Sequence, residues 1–309
     1  MHLVFVAGWM RSGTTVLAEL LGSSPGALAV GELATMWMAL ERDDLCSCGQ
    51  SVRSCPVWSV VAAEVAEIHD IGPGRATSYA KFDGELHAVL RMKRLPGLRR
   101  LRRSTPDRMP SDVGRITAVM QTVLRVVTDV SECDVIVDSS KRPTALVVFG
   151  LIPGVELTPI HLVRDPRAVA YSESRHRQWA GVEAHLAPPG RGALLSAVNW
   201  IVTTILCHRV GRRFPGYRLL RYERLTTQPT ETMAAVTGGL GLAPPQFVAP
   251  DAVQLAPSHV VNGNPSRFGG RLRKISADER WRTDLPARER VTVGVLTAPV
   301  RLAVKLLAR

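Results

Sequence analysis

Residues 8 to 15 read GWMRSGTT, and their spacing outlines a loop that wraps a phosphate. The pattern G-x-x-x-x-G-K-[ST] holds a nucleoside triphosphate, with its Lys on the β/γ-phosphates and its Ser/Thr on Mg²⁺. Gly8 and Gly13 keep that spacing, but Thr14 stands where the Lys belongs, Thr15 follows, and Arg11 lies inside the loop. A γ-phosphate with its metal calls for the Lys and an acidic metal ligand. A singly charged sulfonate on a 5′-phosphate needs less. Backbone N–H groups, hydroxyls and one Arg can hold it without a metal. Arg11, Ser12, Gly13, Thr14 and Thr15 are therefore candidates for binding such an anion.

A second constellation is HLVRDPRAVAYSESR, residues 161 to 175. Arg164 falls at the end of a predicted strand, and Ser172 follows eight residues on. A helix starting near Pro166 brings the Ser172 hydroxyl and the Arg164 fork toward one anion. The loop and this pair together imply a ligand with two separated phosphate-like groups.

The elements around these residues set the fold class. HLVFVAG is short, β-branched and bounded by Gly, which predicts a buried strand. TTVLAELLGS has helical spacing, with Val16, Leu17, Leu20 and Leu21 on one side and Gly22 and Pro25 ending it. Strand, glycine loop and helix thus aim backbone N–H groups and a positive helix end at one place. Further strands are predicted at 134–137, 157–163 and 217–221, ending in DSSK, RDPR and YERL, with helices near 115–128 and 193–210. This alternation predicts a three-layer α/β fold of P-loop type, with a mostly parallel central sheet flanked by helices. Ligands of such sheets bind at the carboxyl ends of the strands, where each polar motif falls.

The 309 residues are expected to form a single domain. Within it, residues about 70–110 read as an inserted, basic, partly helical segment, and 287–309 as a C-terminal amphipathic helix docked on the core or lying on a membrane surface. The net charge of +12 suits an anionic ligand, a nucleic acid or an anionic membrane. Arginine enrichment also follows from a GC-rich coding sequence. The N-terminus lacks the features of a secretory signal, and no run of about 18 uninterrupted apolar residues occurs. A cytoplasmic protein is expected.

The loop GWMRSGTT, followed by LVRDPRAVAYS, resembles the sulfotransferases that use 3′-phosphoadenosine 5′-phosphosulfate (PAPS). The resemblance spans most of the chain, including YERL and NGNPSRFGGRLRKISADERW. It is nearest to bacterial members and to the tyrosylprotein and carbohydrate branches, which share RSGTT. Cytosolic small-molecule members more often carry Lys at the position of Arg11. The resemblance implies that the first motif binds the 5′-phosphosulfate and that Arg164 and Ser172 bind the 3′-phosphate.

It also points to further residues. Glu32, in VGELATMW, matches a Gly-Glu whose Glu is the general base of the tyrosylprotein branch, the group that takes the acceptor hydroxyl's proton. As a residue alone, Glu32 is equally a surface or helix-cap carboxylate. Lys141, after VIVDSS, matches a Lys positioned to act as acid or to meet charge on the leaving oxygens. Ser139 and Ser140 support it, or one of them caps the next helix. Tyr222 matches a Tyr lining the nucleotide site, or is a strand-end core aromatic. Arg267 and Arg271 flank a Gly-rich turn suited to the 3′-phosphate. They depart from the family's Arg-Lys-Gly run, and solvent charges are the alternative.

LCSCGQSVRSCPVW holds Cys46, Cys48 and Cys55 as C-x-C-x6-C. Zinc sites usually show C-x2-4-C pairs and four ligands, and no fourth ligand stands out. A structural loop with reduced or locally paired thiols is the favoured reading and a metal site the lesser one. Cys133, Cys207 and His161 read as core residues.

The expected activity is transfer of a sulfuryl group from PAPS to an acceptor hydroxyl by in-line displacement, with Arg11, Glu32 and Lys141 catalytic and no metal required. An ATP-dependent P-loop kinase is one rival. A non-enzymatic, basic nucleic-acid or membrane-surface protein is another. The expected partner is a hydroxyl-bearing small molecule, lipid or carbohydrate, with peripheral membrane contact and no nucleic acid. Met36, Trp37 and Met38 either line an apolar acceptor site or belong to the core.

Overall fold

A computed structural model describes residues 1–101, 109–174, 192–262 and 268–308. In chain order its elements are β1 (His2–Ala7), α1 (Thr14–Leu21), β2 (Ala27–Gly31), α2 (Met36–Arg42), α3 (Trp58–His69), α4 (Tyr79–Val89), α5 (Leu95–Leu101) and α6 (Ser111–Ser131). There follow β3 (Val135–Lys141), α7 (Pro143–Phe149), β4 (Glu156–Val163), α8 (Pro166–Ser174), α9 (Ala193–Gly211), β5 (Arg218–Arg221), α10 (Tyr222–Thr227) and α11 (Pro229–Gly238). The chain ends with β6 (Phe247–Ala249), β7 (Ala252–Gln254), β8 (Leu272–Lys274), α12 (Trp281–Asp284) and α13 (Ala287–Leu307).

The central sheet runs β2-β3-β1-β4-β5, and every pairing is parallel. β1 pairs on both edges and is covered on both faces, which is why its sequence is continuously apolar. Its alternation divides the core. Leu3 and Phe5 face α2, α3, α4, α6 and α7, whereas Val4 and Val6 face α1, α10 and α11. The result is the expected three-layer α/β architecture with a mostly parallel sheet. Strand order reverses at β1, which opens a crevice at its carboxyl end.

Two strand readings are corrected. β2 was not expected, because ALAVG is five residues long, rich in Ala and closely followed by a turn. β3 was expected to stop at residue 137 but runs to Lys141, after a register shift opposite Phe5 and Ala7. Ser139 and Ser140 are therefore strand residues. α7 starts instead at Pro143, and Arg142 precedes it without a side-chain cap.

In the basic region, Phe82, Leu86, Leu95 and Leu98 turn into the core, while Arg91, Lys93 and Arg100 stay exposed. α9 is long and apolar enough to cross a membrane, yet it packs against β4, α7, α8 and α13. α13 lies along α9 and α8, with Val293, Thr297 and Val304 buried.

Candidate active site

The loop after β1 turns on glycines that no other residue replaces easily. Gly13 has φ +89, and a Cβ there would come within 2.7 Å of the Tyr222 ring. A Cβ on Gly8 would meet the Leu162 carbonyl at 2.5 Å. Gly13 is also the residue before α1 and offers that helix no side-chain cap. The first N–H groups of α1 thus end at the loop, with the positive end of the helix behind them. Thr14 and Thr15 are buried, and Arg11 adopts a left-handed φ of 63°. Ser12 is fully buried, and its Oγ has no hydrogen-bond partner among the described residues.

Arg164, at the end of β4, is 8% exposed. Its Nη1 donates to the Arg11 carbonyl at 3.1 Å and its Nη2 to the Asp278 carbonyl at 3.3 Å. Its guanidinium lies 4.5 Å from the centroid of the Tyr222 ring. The Trp200 indole N–H of α9 donates to the Arg164 carbonyl at 3.1 Å and fixes the strand end. α8 starts at Pro166, as expected, and presents Ser172. Arg11 Nε donates to Ser172 Oγ at 2.9 Å, so the loop and the strand-end pair form one continuous cluster. Burial, and then the nearby Arg164 cation, hold the Arg11 guanidinium below its usual pKa, while Glu173 acts in the opposite sense. Two cations this close in a partly buried site are suited to an anion between or beside them.

The second half of the site lies at the ends of β2 and β3. Lys141 Nζ donates to Glu32 Oε1 in a mostly buried ion pair. Lys141 has φ 66°, and its carbonyl accepts from the Gly8 N–H at 3.3 Å. The lysine thereby ties this pair to the start of the glycine loop. Beneath Glu32 sits Asp138, fully buried. Its Oδ1 accepts from the Leu33 N–H at 2.9 Å and from Ser140 Oγ at 2.7 Å, and its Oδ2 from the Ser140 N–H at 3.0 Å. Ser140 Oγ also accepts from the Ala34 N–H at 2.9 Å, and Ser139 Oγ donates to the Gly31 carbonyl at 3.1 Å. The serines therefore hold the Glu32 turn against β3 rather than capping α7. Burial pushes the Asp138 carboxyl up to about 7, and the Glu32 charge adds to this, while the hydrogen bonds oppose it.

Tyr222 opens α10 and packs against both Gly13 and Arg164, with its hydroxyl 3.4 Å from the Ser276 carbonyl. Arg271 is exposed and, among the described residues, makes no side-chain bond to the loop. Arg267 lies outside the described residues. Met36 and Trp37 are fully buried, with Trp37 packed on Phe82 at 4.5 Å between ring centroids, so these two belong to the core. His161 is a core residue too: its Nδ1 lies 3.1 Å from the Tyr217 hydroxyl, and burial keeps it neutral with a pKa near 3.

Sequence reasoning missed three contributors. Asp138 is one. Glu173 is another; its Oε1 accepts from the Trp9 indole N–H at 2.9 Å, beside Arg11. The backbone of Asp278, which receives Arg164, is the third. The DSS triplet after an apolar run was the available signal for Asp138, since a buried carboxylate needs just such nearby donors.

Comparisons with known proteins bear on the fold. No family model matches the sequence, and no curated protein matches it. Among solved structures, the sulfotransferase domain from the Synechococcus PCC 7002 olefin synthase is 17% identical, with 96% of this chain and 94% of that chain covered at a TM-score of 0.51. The sulfotransferase domain from the curacin biosynthetic pathway is 15% identical, with 96% of each chain covered at a TM-score of 0.50. The likeness is one of fold. It extends over nearly the whole of both sulfotransferase domains and does not separate one branch of such enzymes from another.

Proposed function

We propose that this protein is a sulfotransferase that moves a sulfuryl group from PAPS to an acceptor hydroxyl by in-line displacement. One observation carries the reading: Arg11, Arg164 and Ser172 form a continuous cationic cluster at the β1 and β4 ends, with the Lys141–Glu32 pair flanking the same loop. The loop also fits a phosphosulfate physically. Its glycines leave no room for side chains, Ser12 Oγ is buried without a partner among the described residues, and the start of α1 is uncapped. The sulfotransferase-domain fold agrees with this.

Bound PAPS would supply the activated sulfuryl group. The loop N–H groups, Ser12, Thr14 and Thr15 bind its 5′ end, and Arg164 with Ser172 binds the 3′-phosphate. Tyr222 braces Arg164 through its ring face. The resemblance assigns Arg267 and Arg271 to the 3′-phosphate as well. Glu32 takes the acceptor hydroxyl's proton on a carboxylate oxygen. Lys141 Nζ holds that carboxylate before the acceptor enters and then neutralises charge on the leaving oxygens, together with Arg11. The cations serving this step are side chains, and the reading assigns it no metal. Adenosine 3′,5′-bisphosphate and the sulfated acceptor are the products. The acceptor is a hydroxyl-bearing small molecule, lipid or carbohydrate, the protein is placed in the cytoplasm, and the resemblance favours the tyrosylprotein and carbohydrate branches. Exposed Leu194, Leu195 and Val202 on α9 and exposed Val295, Leu302 and Leu306 on α13, two helices that pack on each other, support peripheral contact with a membrane.

The test is a turnover assay for adenosine 3′,5′-bisphosphate released from PAPS against panels of phenols, sterols, lipids and sugars. Acceptor-dependent release, abolished in Glu32→Gln, is expected. A protein that cleaves no PAPS with any panel but phosphorylates a substrate from ATP and Mg²⁺ overturns the reading in favour of a kinase.

A further inference from the structure

The cysteine motif acquires in three dimensions the fourth ligand that its sequence lacks. Cys46, Cys48, Cys55 and His259 bring their sulfur and nitrogen atoms within 4.8 Å of one another. Cys46 Sγ lies 3.7 Å from Cys55 Sγ and 4.0 Å from His259 Nδ1, and Cys55 Sγ lies 3.1 Å from the same nitrogen. A tetrahedral zinc with bonds of about 2.3 Å to sulfur and about 2.0 Å to nitrogen spaces its ligands about 3.8 Å (S···S) and about 3.5 Å (S···N) apart. The observed S···S distance comes close to the first value, and the two S···N distances bracket the second. All the cysteines are free thiols, and 3.7 Å is well beyond the roughly 2.05 Å of a disulfide.

The surrounding backbone is built as a binding site. Leu45 and Ser51 pair as a short antiparallel bridge, so residues 45–51 form a tight hairpin that turns on Gly49 at φ +88. Within it, the Cys48 N–H faces the Cys46 sulfur, and the N–H groups of Val57 and Trp58 face the Cys55 sulfur at the start of α3. Such N–H···S contacts stabilise thiolates, the form that binds metal. His259 is held from behind, where the Trp58 indole N–H donates to its carbonyl at 2.8 Å. Ser47 stitches the hairpin to the histidine segment, donating to the Ser258 carbonyl at 2.8 Å and accepting from the Val260 N–H at 2.8 Å. Cys46 and Cys55 are buried while Cys48 is exposed, which leaves an entry path.

We infer that Cys46, Cys48, Cys55 and His259 bind one Zn²⁺ in a closed, tetrahedral, structural site. Three thiolates and a neutral imidazole select zinc over hard, oxygen-seeking cations. Binding replaces the thiol protons, which pass to solvent, and changes no oxidation state. With four protein ligands there is no open position, so the ion does not act in transfer. Its effect reaches the site mechanically. Two residues beyond His259, the Val261 carbonyl accepts from the Glu32 N–H at 3.2 Å, and the Val261 N–H donates to the Val30 carbonyl at 3.1 Å. A Cβ on Gly31 would lie 2.2 Å from that Val261 carbonyl. The zinc therefore clamps residues 258–261 to the edge of the sheet and fixes the turn that carries Glu32.

The test is metal analysis of the full chain, purified under reducing conditions without chelator, together with a thiol count and hydrogen exchange. The expected result is one zinc per chain, three thiols shielded until a chelator is added, and faster exchange at residues 27–35 and 255–262 on stripping. His259→Ala lowers zinc affinity at least tenfold, and His259→Cys restores it. If a ligand variant fails to fold, cobalt titration of the stripped wild-type chain keeps the question open to a result: absorption typical of tetrahedral thiolate-bound cobalt supports the site. A wild-type chain that takes up neither metal under reducing conditions, or a Cys46–Cys55 disulfide found by peptide mapping of the native protein, overturns it. None of these readouts depends on PAPS chemistry.

Discussion

At the carboxyl ends of β1 and β4, like charges are crowded together; at the ends of β2 and β3, opposite charges are paired. Arg11 and Arg164 share one small volume, and the carboxylate that most offsets Arg11 is Glu173, which is also bonded to Trp9. Glu32 and Lys141, by contrast, satisfy each other, and Asp138 below them is surrounded by donors. Crowded cations cost stability unless an anion joins them, which suits a binding subsite. A paired acid and base cost little at rest and separate when a substrate inserts, which suits proton transfer. Under the proposed function, the difference divides the labour between holding the donor and activating the acceptor.

This division makes the two halves separable by mutation. The largest expected effect is on turnover. Glu32→Gln lowers kcat by roughly 10² to 10⁴-fold and leaves the affinity for adenosine 3′,5′-bisphosphate within about threefold of wild type, read by single-turnover kinetics and calorimetry. A parallel loss of affinity would merge the halves. Next, Arg164→Ala weakens binding of the bisphosphate on the order of 10²-fold, because a buried, charge-assisted contact is lost, and Arg164→Lys recovers only part of it.

A smaller effect concerns the platform. Asp138→Ala strips the Leu33 and Ser140 N–H groups of their acceptor and costs about 2 to 3 kcal/mol of stability by denaturant unfolding. The same residue gives a pH signature. Its folded pKa of about 7 lies above the unfolded value of 3.8, so the native state binds the proton more tightly. Its contribution is complete below about pH 4 and is lost as pH rises through 7. The wild-type protein should thus lose stability relative to Asp138→Asn between pH 5 and pH 8, and parallel Tm curves would contradict the raised pKa. Smallest of all, Arg271→Ala on the exposed segment weakens bisphosphate binding by no more than about threefold, with the difference fading at high salt.

The clustering of the cationic half was readable in advance because its parts are contiguous. Eight residues carry the whole loop, and one strand end and the helix after it carry Arg164 and Ser172. Backbone geometry alone brings such neighbours together. The half that carries the Glu32–Lys141 pair is assembled from afar. Glu32 depends on a short Ala-rich strand that periodicity did not reveal, on Asp138 more than a hundred residues later, and on Val261 at the far edge of the sheet. His259 joined the cysteines for the same reason, since a ligand some two hundred residues away leaves no spacing to recognise. The apolar run around Trp37 left two readings open, and Met36 and Trp37 fall to the core. An acceptor pocket and a helix of the core share that composition, and only burial separates them.

The central claim is that the cationic half holds a nucleotide by two separated anionic groups. The most direct measurement is calorimetric titration of the purified protein with adenosine 3′,5′-bisphosphate, 5′-AMP and ATP, each with and without Mg²⁺. The account predicts tight, metal-independent binding that requires the 3′-phosphate and is lost in Arg164→Ala. Indifference to the 3′-phosphate, or a preference for ATP with Mg²⁺, would contradict it.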